Sequence, residues 1–117
     1  MLAQFELSYI LGYNVSVYTV FTTAQFDDWF GGLKDRVGKT RIQARIDRME
    51  DGNLGDCKSV GKRVSEARLD FGHGYRIYFS RRDFEIIVLL CGGDKSSQIR
   101  DIKAALAIAT QLKETQP

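Results

Sequence analysis

The chain's middle, Ser65–Phe79, reads SEARLDFGHGYRIYF. Ser65, Ala67, Leu69 and Phe71 alternate with Glu66, Arg68 and Asp70, the period of two that marks a half-buried antiparallel strand. Gly72-His73-Gly74 is turn chemistry. Beyond it Tyr75, Ile77 and Phe79 alternate with Arg76, Tyr78 and Ser80. The stretch is a hairpin with one apolar and one charged face, and the rest of the chain must supply what covers the apolar one.

Reading toward the C-terminus, Arg81-Arg82-Asp83 is a turn, and FEIIVLLC (84–91) is apolar on both faces. That pattern places it centrally in the sheet. CGGDKSSQIRDIKAA (91–105) then has the outline of a strand, a glycine-rich phosphate-binding loop and a helix. The phosphate loop G-x-x-x-x-G-K-[ST] is not met, however. Leu89 stands where the first glycine belongs, and Asp94, directly before Lys95, would crowd a nucleotide's phosphates. The simpler reading is a strand-to-helix turn. Asp94 or Ser96 caps a helix from about Ser97 to Lys113, with Ile99, Ile102, Leu106 and Ala109 as its buried stripe.

Toward the N-terminus, Asn14–Phe21 is rich in β-branched and aromatic residues and reads as a strand. Thr22 or Thr23 caps a helix carrying Phe26, Trp29, Phe30, Leu33 and Val37 at helical spacing. Gly31-Gly32 weaken its end by roughly 1 kcal/mol each. A second helix, Lys39–Glu50, turns Ile42, Ile46 and Met49 inward and sets Lys39, Arg41, Arg45 and Arg48 on a solvated face. Asp51–Gly61 reads as a loop by its glycines, asparagine and aspartates. The predicted order is β-α-α-β-β-β-α: an α+β domain with a mostly antiparallel four-stranded sheet and two helices packed on one face. Residues 15–117 form this single domain, and 1–14 are an N-terminal extension.

Composition narrows the function. The 117 residues are 44% hydrophobic and 27% charged, as in ordinary soluble domains. Net charge is +2 with a pI near 8.6, which permits a local nucleic-acid patch without demanding one. Cys57 and Cys91 stand alone, read as reduced thiols, and one histidine cannot complete a typical zinc site, so no metal or other cofactor is expected. No apolar run approaches the roughly 18 residues that span a membrane. A cytoplasmic protein is expected.

The charged face of the hairpin carries Glu66, Arg68, Asp70, Arg76, Tyr78 and Ser80, with Lys95 after the next strand and His73 at the turn. Read as an open face, cations interleaved with an aromatic suit a single-stranded RNA backbone. Read as a solvated face, Glu66 and Asp70 pair with the arginines. Lys58, Lys62 and Arg63 form a second basic cluster and join Tyr78 as candidate RNA contacts. Tyr78 could stack on a base or donate a proton, although strand tyrosines commonly pack inward. His73 is of a residue type suited to proton transfer, and equally suits a simple turn.

EARLDFGHGYRIYF and IVLLCGGDKSSQIRDIKAA resemble the HigB-type addiction module killer branch of the RelE/ParE toxin superfamily, over roughly residues 15–113. The resemblance implies a type II toxin held inactive by a cognate antitoxin protein. In the RelE line it implies ribosome-dependent cleavage of messenger RNA by basic residues on the concave sheet face. Carried over by motif, those residues fall on Arg76, Arg68 and Lys95. The tyrosine that line carries on its terminal helix falls near Asp101, so its role has no holder here. The implied chemistry is attack of a ribose 2′-OH on its own 3′ phosphate, with Arg76 and Lys95 stabilising charge and His73 moving a proton. The superfamily's other branch implies an alternative, a gyrase-inhibiting toxin without the ribonuclease set. A third is a relic that binds an antitoxin and does nothing else.

Overall fold

A computed structural model describes residues 18–115, with side chains as far as Leu112. The extension 1–14 and the first part of the strand expected from Asn14 lie outside the described residues. The elements are β1 (Thr19–Thr22), α1 (Ala24–Gly32), α2 (Arg36–Glu50), β2 (Cys57–Gly61), β3 (Val64–Arg68), β4 (Arg76–Arg82), β5 (Ile86–Gly93), a 3₁₀ turn (Lys95–Ser97) and α3 (Gln98–Thr115).

The five strands form one sheet in the order β1-β5-β4-β3-β2. β1 runs parallel to β5 and every other pairing is antiparallel. The α+β class is as expected, and the apolar strand β5 is indeed internal. The strand count is corrected from four to five. Cys57–Gly61, read as loop, adds to β3 as an edge strand. It is short, polar and mostly exposed, so it lacks the apolar alternation that would have marked it.

Local chemistry sets the helix ends. The Thr23 hydroxyl accepts the Phe26 N–H at 3.0 Å and caps α1, which ends at the two glycines. The Asp35 carboxylate accepts the Gly38 N–H at 2.9 Å and caps α2. Val37, expected to extend the stripe of α1, instead lies in α2 and is exposed. Asp94 caps the 3₁₀ turn in a capping box with Ser97 and so opens α3.

Two cores result. Phe26 of α1 and Ile42, Ile46 and Met49 of α2 pack on one sheet face against Ala67, Leu69, Ile77, Phe79, Ile87 and Leu89. These are the inward residues that the period of two predicts. On the opposite face Val64, Tyr78, Leu90 and Cys91 pack against Ala105 and Ile108 of α3. The two-helix, one-face arrangement is therefore corrected: α3 covers the face expected to be open. Its stripe is rotated from the expected one, with Ile99 exposed.

Arg45 also departs from expectation. It is buried, and its guanidinium donates to the carbonyls of Leu54 (3.1 Å), Arg68 (2.8 Å) and Asp56 (2.7 Å). One side chain thereby fastens α2 to the segment leading into β2 and to the end of β3. Arg45→Ala, which strands three carbonyls, is expected to lower unfolding free energy by about 2–4 kcal/mol in urea titration. Arg45→Lys should recover only part of that, because an ammonium cannot reproduce the planar fork.

Candidate functional site

The strand register concentrates charge at one end of the sheet. Arg68 of β3 stands directly opposite Arg76 of β4, and Glu66 opposite Tyr78. Like charges facing each other destabilise a sheet unless other groups answer them. Arg68 is answered by Asp56, with 3.1 Å between Nη2 and Oδ1. That hydrogen bond and charge hold its guanidinium still more firmly protonated. Arg76 is 7% exposed. Its Nη1 donates to the carbonyls of Gly74 (2.9 Å) and Tyr75 (3.3 Å), and its Nε lies 4.0 Å from Glu66 Oε1.

Glu66 has no exposed surface. Its Oε2 accepts the Tyr78 hydroxyl at 2.9 Å and the Gln98 side-chain amide at 2.8 Å, so β3, β4 and α3 meet on one carboxylate. Burial, and then the bond to Glu66, push the Tyr78 hydroxyl far above the usual tyrosine range. Tyr78 is thus a fixed donor inside the α3 core, and its ring does not face solvent as the open-face expectation required. Among the described residues Glu66 Oε1, Arg76 Nε and Arg68 Nε are the buried side-chain polar atoms without a hydrogen-bond partner, and all three belong to this cluster.

The Gly72-His73-Gly74 turn brings the remaining candidates alongside. Gly74 has φ of 72°, a conformation glycine adopts freely, and Lys95 lies over it: a Cβ there would stand 2.9 Å from Lys95 Cγ. The Lys95 N–H donates to the His73 carbonyl at 3.4 Å, and both side chains are exposed. Arg68, Arg76, His73 and Lys95, separated by up to 27 positions in the chain, therefore gather at one end of the sheet. Lys58, on exposed β2, faces Glu66 across the ladder. Lys62 and Arg63 do not join them. They form the β2–β3 turn at the opposite end.

Several participants carried no sequence signal of their own. Asp56 and Gln98 matter through partners 12 and 32 positions away. Asp101 packs over Gly93, the β5 residue opposite Arg76, where a Cβ would collide with its carboxylate. Ser97 Oγ donates to it at 2.5 Å, and Arg100 Nε lies 3.7 Å away. A carboxylate thus occupies the place where the resemblance implied a tyrosine. Cys91 is no nucleophile here: burial, with the Asp101 charge, pushes its thiol up to about 12. Among the described residues no three His, Cys, Asp or Glu side chains assemble as a metal site, and no helix is long and apolar enough to cross a membrane.

The molecule is an α+β protein with a guanidinium and ammonium cluster at one sheet end, anchored on a buried glutamate. No protein-family model matches it. A Haemophilus influenzae protein described as "Uncharacterized protein" is 47% identical over 91 residues, spanning 78% of this chain and 92% of that protein. The chain belongs to one family with it.

The turn is moored to α2 by Tyr75, whose hydroxyl donates to Asp35 Oδ2 at 2.7 Å and whose ring meets His73 edge-on, centroids 6.1 Å apart. The Gly38 N–H, then the Tyr75 hydroxyl, hold the Asp35 carboxyl below the usual range. Its contribution to stability is complete above the ordinary aspartate value of about 4 and is lost as pH falls through the lower folded value. Burial, then the Asp35 bond, push Tyr75 up to about 12. That contribution is complete below the ordinary tyrosine value of about 10 and is lost as pH rises through about 12. Thermal melts should therefore show wild type above Asp35→Asn near neutral pH, with the gap closing as pH falls below about 4. Equal melting temperatures near neutrality would contradict this.

Proposed function

We propose that the chain is the toxin of a type II toxin–antitoxin module of the HigB type and acts in the cytosol as a ribosome-dependent endoribonuclease on messenger RNA. The observation that carries the reading is the gathering of Arg68, Arg76, His73 and Lys95 at one sheet end. The motif resemblance supports it independently. Fold alone does not, since one fold hosts many activities.

The reaction asks for charge stabilisation and two proton transfers. The ribose 2′ oxygen bonds to the adjacent phosphorus and the P–O5′ bond breaks, giving a 2′,3′-cyclic phosphate and a 5′-OH. A base takes the 2′ proton and an acid supplies one to the 5′ oxygen. Lys95, exposed and flexible, and Arg76, held by two carbonyls, supply positive charge to the equatorial oxygens. Arg68 adds to the local potential beside them. His73, exposed on the turn, is the residue best situated to exchange a proton. The cognate antitoxin neutralises the protein by covering this end, and neither metal nor organic cofactor is required by the chemistry.

A second reading has its own observation. Arg76 is nearly buried and its donors go to backbone carbonyls, which suits a scaffold role. On that reading the protein arrests growth by binding a protein target such as gyrase.

Induction of the chain without its partner, with RNA 5′ ends mapped across the transcriptome, separates the two. Cuts within translated codons are expected, reduced about a hundredfold or more in Lys95→Ala, which removes an exposed side chain and leaves folding intact. Growth arrest with uncut messages would overturn the ribonuclease reading in favour of a protein target.

A further inference from the structure

The opposite end of the sheet carries a second concentration of positive charge. The β2–β3 turn is Lys62-Arg63, with φ of 47° and 67°. Two-residue hairpins of this kind are normally filled by asparagine or glycine, because a side chain with a Cβ is disfavoured there. Two long cations occupy it instead. Strained positions of this sort are concentrated at functional sites.

Because Val64 faces Ser80, the turn lies beside the last residues of β4. Lys62, Arg63, Arg81, Arg82 and Asp83 rim a hollow of ≈ 320 Å³ whose floor includes Ala109 of α3. Among the described residues none of these four cations has an ion-pair partner. Arg81 donates to the Tyr18 hydroxyl at 3.2 Å. Among the residues that line the hollow, Asp83 is the one carboxylate. Asp83, at φ 56°, turns the chain, and next to it Phe84 projects with 92% of its surface exposed.

Three cations, Lys62, Arg63 and Arg82, crowd this concavity, while Arg81, opposite Ile87, turns to the other sheet face and Tyr18; such crowding is relieved by a polyanion. The bare Phe84 ring, next in the chain to the lining residue Asp83, offers a face for a planar partner. A polyanion whose units carry planar π-faces is a single-stranded nucleic acid. An acidic protein segment would answer the charge but gives the Phe84 ring no equivalent stacking partner. We infer that Lys62, Arg63 and Arg82 hold the phosphate backbone of single-stranded RNA, with Phe84 as a stacking platform for one base. The choice of RNA over DNA rests on the function proposed above. The site lies a strand length from the Arg76 end, about 20 Å over the six steps of β4, so it holds RNA without touching the reacting phosphate.

The test is fluorescence anisotropy of a labelled single-stranded RNA of about 12 nucleotides, titrated with the purified chain at several salt concentrations. Arg63→Ser/Arg82→Ser is expected to weaken binding about tenfold or more and to reduce the slope of log K against log salt by about 1.4, two phosphate contacts on a single strand. Phe84→Ala should weaken binding about tenfold with little change in slope. Lys34→Ala, which removes an exposed cation between α1 and α2 and away from the hollow, should leave this binding within about twofold. Unaltered binding in the double variant and in Phe84→Ala, both melting as wild type does, would overturn the inference. So would displacement of the RNA by polyglutamate combined with indifference to Phe84→Ala, which would assign the hollow to an acidic protein segment. RNA held through this hollow by a protein that leaves messages intact would sustain the inference and defeat the ribonuclease reading.

Discussion

A carboxylate with no exposed surface must find its compensation inside the protein, and Glu66 finds it in three side chains from two elements. Tyr78 on β4 and Gln98 on α3 donate to one oxygen, while Arg76 stands near the other. Burying an ionised carboxylate costs several kcal/mol, and leaving it without its partners costs about 3–5 kcal/mol of stability. The arrangement therefore specifies more than it stabilises. It ties the N-terminal turn of α3 to the middle of the sheet, and that docking closes what would otherwise be an open charged face. It also sets a negative charge beside Arg76, which offsets the repulsion from Arg68 across the ladder.

With α3 over the centre of that face, the charges have only the ends of the sheet left. At one end Arg68, Arg76, His73 and Lys95 surround the glycine turn. At the other, Lys62 and Arg63 meet Arg82, with an exposed phenylalanine two residues further along the chain. A net charge of +2 thus conceals two cationic concentrations separated by an apolar, helix-covered middle. Such a division suits a protein that grips a polyanion in one place and acts on it in another. The buried part of the charge network is fixed by hydrogen bonds, while Lys95 and the hairpin cations are exposed.

The features legible in the sequence were those governed by local periodicity. Ala67, Leu69, Ile77 and Phe79 point where the period of two says they should, and Gly31-Gly32 end a helix as their propensity dictates. The glycines and Asp94 of the strand-to-helix turn also read correctly. What escaped depends on partners far along the chain. Arg45 looked like one more cation on a solvated helix face, because the carbonyls that bury it belong to residues 54, 56 and 68. Cys57–Gly61 is a strand only because β3 offers it an edge. The amphipathic stripe of α3 was visible, but nothing local says which side of a sheet a C-terminal helix will cover. Tyr78 followed from that: its neighbours in sequence made it a plausible base-stacking residue, and the helix above it made it a core one.

Under the proposed function, the Glu66 charge, 4.0 Å from Arg76 Nε, orients Arg76 toward a phosphate at the sheet end. The direct measurement is cleavage of a defined message on purified, programmed ribosomes by wild type and by Glu66→Gln, at matched folded fraction. The glutamine keeps the size of the side chain and a hydrogen bond to Tyr78 while removing the charge beside Arg76. The account predicts a turnover rate lowered by about tenfold or more with ribosome affinity little changed. Cleavage equal to wild type would contradict it.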